Sequence, residues 1–151
     1  MGKIYHSILE LIGKTPLVEL ERYEKKKELP ATILAKLEFF NPNGSVKDRI
    51  ALSMIEAKEE SGELKAGGTI IEGTSGNTGI GLAAIGAAKG YNVKISMPDN
   101  VSIERRTLLK SYGAEIYLTP GDLSMGGAGA KAAELLGETE NAVIIGQGGN
   151  P

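Results

Sequence analysis

Cysteine is absent from the sequence, so neither a disulfide nor thiolate chemistry is available to it. The single histidine, His6, lies near the N-terminus. One imidazole excludes the usual zinc clusters and weakens any histidine-based triad, so no metal site is expected. No apolar run approaches the ~20 residues that a membrane span needs. The opening residues show no signal-peptide core, and His6 occupies the place where a myristoylation motif requires Ser or Thr. A cytoplasmic location is the expectation. An excess of one charge is lacking too: 17 Lys and Arg face 19 Asp and Glu. The one basic cluster, Lys25-Lys26-Lys27, is flanked by Glu24 and Glu28. Neither nucleic acid nor an anionic membrane is an expected partner.

Glycine departs in the other direction. It occurs 21 times, where an average share of about 7% would place roughly ten or eleven. The excess falls in turns and at the ends of apolar segments, so it marks boundaries rather than low complexity. Hydrophobic residues make up 41% and charged residues 24% of the 151. That balance suits one domain with a real core.

The most organised stretch is Glu72-Gly73-Thr74-Ser75-Gly76-Asn77-Thr78-Gly79-Ile80-Gly81-Leu82-Ala83. A β-branched run at 68–71 precedes it. A small, apolar run at 82–88 follows and is closed by Lys89-Gly90. Strand, glycine-rich turn and helix in that order aim free backbone N–H groups and the positive dipole end at one spot. Such a spot suits a phosphate or a carboxylate. Glycines that only let strand and helix pack closely would not require the hydroxyls of Thr74, Ser75 and Thr78 and the amide of Asn77 in the same turn.

The rest of the chain reads as repeated strand and helix. Ile4, Ile8, Leu9 and Ile12 recur at helical spacing over 4–12, and residues 13–16 break the pattern. A short extended piece at 17–20, a charged loop or helix turn at 22–30 and a strand at 31–37 follow. Asn41-Pro42-Asn43-Gly44-Ser45 is a turn that offers Ser45 as N-cap, with Asp48 three residues on, to a helix over 46–60. Strands at 93–97, 114–118 and 142–145 alternate with a helix from Ser102, with Ile103, Leu108 and Leu109 inward, and a helix over 124–136. A repeat of roughly 20 to 25 residues is the rhythm of βαβ units. Right-handed crossovers then predict an α/β fold, an open, mostly parallel sheet with helices on both faces. Ligands of such sheets sit at the carboxyl ends of the strands, where residues 41–47, 73–77, 98–102 and 146–150 converge.

Lys47 is the reactive candidate at that edge. In the first turn of a helix and after the apolar Val46, it sits where an ammonium is disfavoured and the amine that attacks carbonyls is favoured. A surface lysine held in water is the plainer reading, kept open by the neighbours Asp48 and Arg49. A nucleotide reading competes. Residues 73–81 resemble the TGxxxGIG turn of short-chain dehydrogenases, and Asp99 follows at a distance that suits a ribose hydroxyl. Against NAD(P), the turn does not follow the first strand, and no Tyr-x-x-x-Lys pair comes after it.

Three segments together narrow the choice: Lys36-Leu-Glu-Phe-Phe-Asn-Pro-Asn-Gly-Ser-Val-Lys47-Asp-Arg-Ile, Thr74-Ser-Gly-Asn-Thr-Gly79 and Ser102-Ile-Glu-Arg-Arg106. With Gly13-Lys14-Thr15-Pro16-Leu17-Val18 they resemble cysteine synthase (O-acetylserine sulfhydrylase), of the fold type II pyridoxal-phosphate enzymes, over nearly the whole chain. The resemblance implies that Lys47 carries pyridoxal phosphate on its amine and later moves a proton. It implies that Asn77 bonds the cofactor's ring oxygen, and that Thr74, Ser75, Gly76 and Thr78 grip the substrate carboxylate with help from Gln147. The implied reaction eliminates acetate from O-acetylserine and adds sulfide, giving cysteine.

Two residues depart from the family pattern. Gly73 stands where proline is usual, and Gly148 where phenylalanine is usual, which affects the pocket near the sulfide entry. Family members also continue into a second domain bearing the glycine-rich phosphate cradle; Gly126, Gly127 and Gly129 are a poor substitute. The expectation is therefore a fragment or half-enzyme. Residues 1–30 would be a segment that packs on the missing domain, and residues 31–151 a small α/β domain. Its partners would be an amino acid and sulfide, with a homo-oligomer or a companion C-terminal half. The alternatives are a non-catalytic amino-acid or protein-binding module and an NAD(P)-binding domain.

Overall fold

The computed structural model describes residues 2–149. Of the residues expected at the ligand edge, Asn150 lies outside that range. The helix expected over 4–12 shortens to a 3₁₀ turn at Ile8–Leu11. Ser7 caps it, accepting from Leu9 N, while Glu10 reaches back to the N–H groups of His6 and Ser7. Two orphan donors are thereby satisfied at residue 7, which fixes the start late. Next come β1 (Leu17–Glu19), α1 (Glu21–Lys27) and β2 (Leu34–Lys36). β1 and β2 form their own antiparallel ribbon, Val18 opposite Ala35, and take no part in the parallel sheet.

The remainder alternates as expected: α2 (Lys47–Glu60), β3 (Thr69–Gly73), α3 (Asn77–Lys89), β4 (Asn92–Pro98), α4 (Ile103–Ser111), β5 (Glu115–Thr119), α5 (Ser124–Glu138) and β6 (Ala142–Ile144). The four strands are parallel, in the order β5-β4-β3-β6. Successive strand residues point to opposite faces. Ile70, Val93, Ile95 and Met97 therefore join Ala51, Ile55, Leu82, Ile85 and Leu109 from α2, α3 and α4 in one core. Ile71 faces the other way, against Ala132 and Leu135 of α5. Ile70, Ile71 and Ile95 are fully buried, each contributing about 1.5–3 kcal/mol of transfer free energy.

Two close backbone approaches shape these layers. A Cβ on Gly81 would lie 3.1 Å from Ala51 Cβ and 3.2 Å from the Lys47 carbonyl oxygen, so α2 crosses α3 at that glycine. A Cβ on Gly73 would lie 2.9 Å from the Ala128 carbonyl oxygen, which brings α5 down onto the end of β3. There Ser96 Oγ donates to the same carbonyl at 2.7 Å.

Some local expectations fail for identifiable reasons. Ser45 is not the N-cap of α2; its hydroxyl accepts from Lys47 N at 3.1 Å and the helix starts at Lys47. Asp48 is drawn into the preceding turn rather than back onto a cap. Ile103, expected inward, is 66% exposed on α4, whereas Leu109 is buried. Ser102 precedes α4 without capping it, because its hydroxyl meets the Glu104 carboxylate.

Candidate functional site

From β3 the chain steps through β4 to β5, then crosses back so that β6 pairs with the far side of β3. The direction of winding reverses between β3 and β6. Connections leaving the carboxyl ends of those two strands therefore diverge and leave a crevice, the usual ligand position in such sheets. The turn at 74–78 leaves β3 there, and Gly146-Gln147 follows β6.

Each side of the crevice is held by hydrogen bonds. Thr74 N donates to Ser96 O at 3.0 Å, and Gly76 N to Thr74 Oγ1 at 3.4 Å. Gly76 precedes α3 in extended conformation without a side-chain cap. Among the described residues the N–H groups of Ser75, Asn77 and Thr78 find no protein acceptor. Free N–H groups at the positive end of a helix suit an anion. Arg105 Nη1 donates to Ser75 O at 3.2 Å, placing a cation beside the turn. Thr78 Oγ1 donates to Gln147 Oε1 across the crevice. Thr74, Ser75, Gly76, Asn77, Thr78 and Gln147 thus come together, and residues 98–106 border them.

Lys47 opens the neighbouring helix, α2. Its carbonyl lies against Gly81, and Asn77 is one turn earlier on the same face of α3. Val46, expected to desolvate Lys47, is itself 41% exposed. Lys47 is half-buried, and neither its ammonium nor the Asn77 amide has a hydrogen-bond or ion-pair partner among the described residues. The start of α2 is fixed instead by Asp48 acting on the preceding turn, not by the cap that the spacing suggested. Asp48 is fully buried, and its carboxylate accepts from Asn43 N at 2.8 Å and Asn43 Nδ2 at 3.1 Å. Tyr112 at the end of α4 donates to Asn43 Oδ1 at 2.7 Å.

At the next residue, Arg49 Nε donates to Glu38 Oε2 at 2.9 Å and Arg49 Nη2 to Thr15 Oγ1 at 3.0 Å. Thr15 and Asn41 donate to the Glu38 carboxylate as well. The Arg49 guanidinium, then the Thr15 hydroxyl, hold the Glu38 carboxyl down at about 2. A depressed carboxyl pKa means that the unfolded chain binds the proton more readily. The contribution is therefore complete above the ordinary value of 4.5 and is lost as pH falls through about 2. Arg49→Met is expected to move the acid-unfolding midpoint, followed by circular dichroism, to higher pH. An unmoved midpoint would show that the clamp does not stabilise the fold.

Glu72, the last side chain of β3 before Gly73, is 7% exposed. Its Oε2 accepts from Gly146 N at 2.7 Å, and the Gln147 N–H is near enough to favour the charged carboxylate. Burial pushes its pKa up, against the two N–H groups that pull it down. A lone acid closing the β-branched run Thr69-Ile70-Ile71 was the available sequence signal. Of the glycines considered as a cradle, Gly126, Gly127 and Gly129 lie inside α5 rather than in a loop.

A family model described as pyridoxal-phosphate dependent enzyme matches residues 8–151. The chain is 53% identical over 144 residues to a protein of Bacillus subtilis (strain 168) named probable cysteine synthase, covering 95% of this chain and 46% of that protein. It is 55% identical over 129 residues to a cysteine synthase of Staphylococcus aureus (strain N315), covering 85% and 41%. Among solved structures, O-acetyl serine sulfhydrylase isoform 3 from Entamoeba histolytica superposes with a TM-score of 0.90 at 47% identity, over 99% of this chain and 45% of that one. An O-ureido-L-serine synthase does so with a TM-score of 0.88 at 42% identity, over 99% and 46%. The chain spans about half the length of the curated relatives it matches. These likenesses favour neither the dinucleotide-binding nor the non-catalytic alternative. No helix among the described residues is long and apolar enough to cross a membrane.

Proposed function

Since this chain belongs to the pyridoxal-phosphate dependent enzymes, alongside cysteine synthases, we propose that it supplies the lysine and the substrate-carboxylate turn of a site that converts O-acetylserine and sulfide to cysteine and acetate. The observation that carries this reading is the meeting of two helix starts. Among the described residues neither the Lys47 ammonium at the start of α2 nor the Asn77 amide at the start of α3 has a partner, and the N–H groups of Ser75, Asn77 and Thr78 have no acceptor. An amine, an amide donor and a cluster of N–H and hydroxyl groups fit an aldehyde cofactor and an amino-acid carboxylate.

In that reading Lys47 Nζ would hold the cofactor and would take up the proton from the substrate Cα. Asn77 orients the ring through its oxygen. Thr74, Ser75, Gly76 and Thr78 fix the α-carboxylate with hydroxyl and N–H donors, and Gln147 closes the same pocket through Thr78. What pyridoxal phosphate contributes when bound is an electron sink; position and electrostatics come from the chain.

The division of the chain belongs to the same proposal. Residues 1–30 form a segment that packs on a second domain, and residues 31–151 a small α/β domain, although β2 of the latter pairs with β1 of the former. Ile4, Leu17, Leu20 and Leu34 are exposed, in keeping with a partner surface from a companion half or a second copy.

To test this, the chain is mixed with pyridoxal phosphate and the C-terminal half of a related cysteine synthase, and cysteine is assayed from O-acetyl-L-serine and sulfide. The assembly is expected to form cysteine. Thr74→Ala is expected to raise KM roughly ten- to a hundredfold, the equivalent of one charge-assisted hydrogen bond of about 1.5–3 kcal/mol. No cysteine above background, or an unchanged KM, would refute the assignment.

A further inference from the structure

Glu72 is a buried carboxylate with no cation beside it among the described residues. Such a group is costly to bury unless hydrogen bonds replace its water. Here the replacement is a main-chain N–H group, that of Gly146, with the Gln147 N–H next to it. A carboxylate only accepts, so it can take both donors at once. A glutamine amide in its place would turn an NH₂ toward one of them. Charge at this position therefore matches the backbone it meets.

The bond also has a location. It joins the ends of β3 and β6, residues 74 apart in sequence, across the point where the winding reverses. The loop held in this way is the one whose next side chain, Gln147, accepts from Thr78 on the opposite wall. Strand pairing does not extend to this loop: the register between β3 and β6 ends at Ile71 and Ile144, followed by the bond from Ile145 N to Ile71 O. Glu72 adds a side-chain tie from the end of β3 to residue 146.

We propose that Glu72 is the positioning residue for Gln147. Its carboxylate grips the Gly146 and Gln147 N–H groups and so sets the Gln147 side chain against Thr78 at the mouth of the substrate-carboxylate turn. The inference rests on the reading of that turn given under Proposed function. Glu72 itself touches no substrate; it acts through the loop.

The test begins without any ligand. In the ¹³C,¹⁵N-labelled chain, a scalar coupling across the hydrogen bond is expected between Gly146 N and the Glu72 carboxylate carbon. Its absence would overturn the proposal. In Glu72→Gln, hydrogen exchange at Gly146 and Gln147 is expected to quicken at least tenfold, and the Gln147 side-chain amide signals to move to those of a freely rotating group. Signals unchanged from the parent chain would also overturn the proposal. If the variant does not fold, the coupling in the parent chain decides. In the complemented assembly, Glu72→Gln is expected to raise KM for O-acetyl-L-serine about tenfold, the scale of one hydrogen bond, with a smaller change in kcat. In a Gln147→Ala background the same substitution is expected to add nothing. Full additivity would mean that Glu72 does not act through Gln147. If the parent assembly fails to use O-acetyl-L-serine, the functional reading falls, while the ligand-free measurements still decide the role of Glu72.

Discussion

Lys47→Ala is expected to remove the covalent attachment of pyridoxal phosphate altogether. Borohydride trapping followed by peptide mapping should find the pyridoxyl group on Lys47 of the parent chain and on no lysine of the variant. Cysteine formation by the complemented assembly should fall by roughly 10²–10⁴-fold, the usual cost of losing a positioned acid–base group. Alanine is the substitution of choice because it suits a helix start and leaves the Lys47 N–H to bond Ser45 Oγ. Stability should therefore change little while chemistry is lost. A pyridoxyl group on Lys36, which is exposed on the adjacent ribbon, would move the reactive lysine out of the crevice.

The second large effect concerns packing. Gly81→Val places a branched side chain where a single Cβ would already meet Ala51 at 3.1 Å and the Lys47 carbonyl at 3.2 Å. Because those contacts are backbone and core, α2 must move away from α3. Overpacking of this kind costs about 1–3 kcal/mol. At roughly 2–4 °C per kcal/mol for a domain of this size, the thermal midpoint should drop by several degrees. Affinity for pyridoxal phosphate should drop with it, since the displaced segment carries Lys47. Gly129→Ala is the control. It also lies in a helix, but nothing stands within 4 Å of its Cβ, so the better helix former should leave the midpoint unchanged or raise it. Equal loss in both variants would mean that helix propensity, not the α2–α3 approach, sets the result.

How much of this was legible in advance follows from the range of the forces involved. The β-branched run Thr69-Ile70-Ile71 declared one buried parallel strand, because burial on both faces favours continuous apolar sequence, and the alternation of Val93, Ile95 and Met97 declared its neighbour. The glycine and hydroxyl alternation of residues 73–79 likewise marked the turn between β3 and α3 through local backbone geometry alone. Pairwise choices were not legible. Leu34 to Lys36 looks like another strand of the main sheet, and only its register with Leu17 to Glu19 shows otherwise. Ser45 and Asp48 have the spacing of a cap, yet Asn43 offers Asp48 two donors and wins it. Glu72 is the clearest case. Its partners lie at the far end of the chain, and no window of neighbouring residues contains the reason for a carboxylate inside a strand.

The reversal of winding at β3 also sets a timetable for the nascent chain. Thr78 and Gln147 are 69 residues apart and Glu72 and Gly146 are 74 apart, so the turn leaves the ribosome long before the loop that faces it. At roughly 5–20 residues per second, the wait is several seconds. Helices and neighbouring strands form within it, since their contacts are local and their loops short to close. During that interval the edge of β3 that β6 will occupy stands open, a row of unpaired N–H and C=O groups on an apolar strand. That is the hazard of an uncovered edge, and it ends only when Ala142–Ile144 docks. The same docking brings Gln147 to Thr78, so the crevice and the protection of that edge are completed in one step.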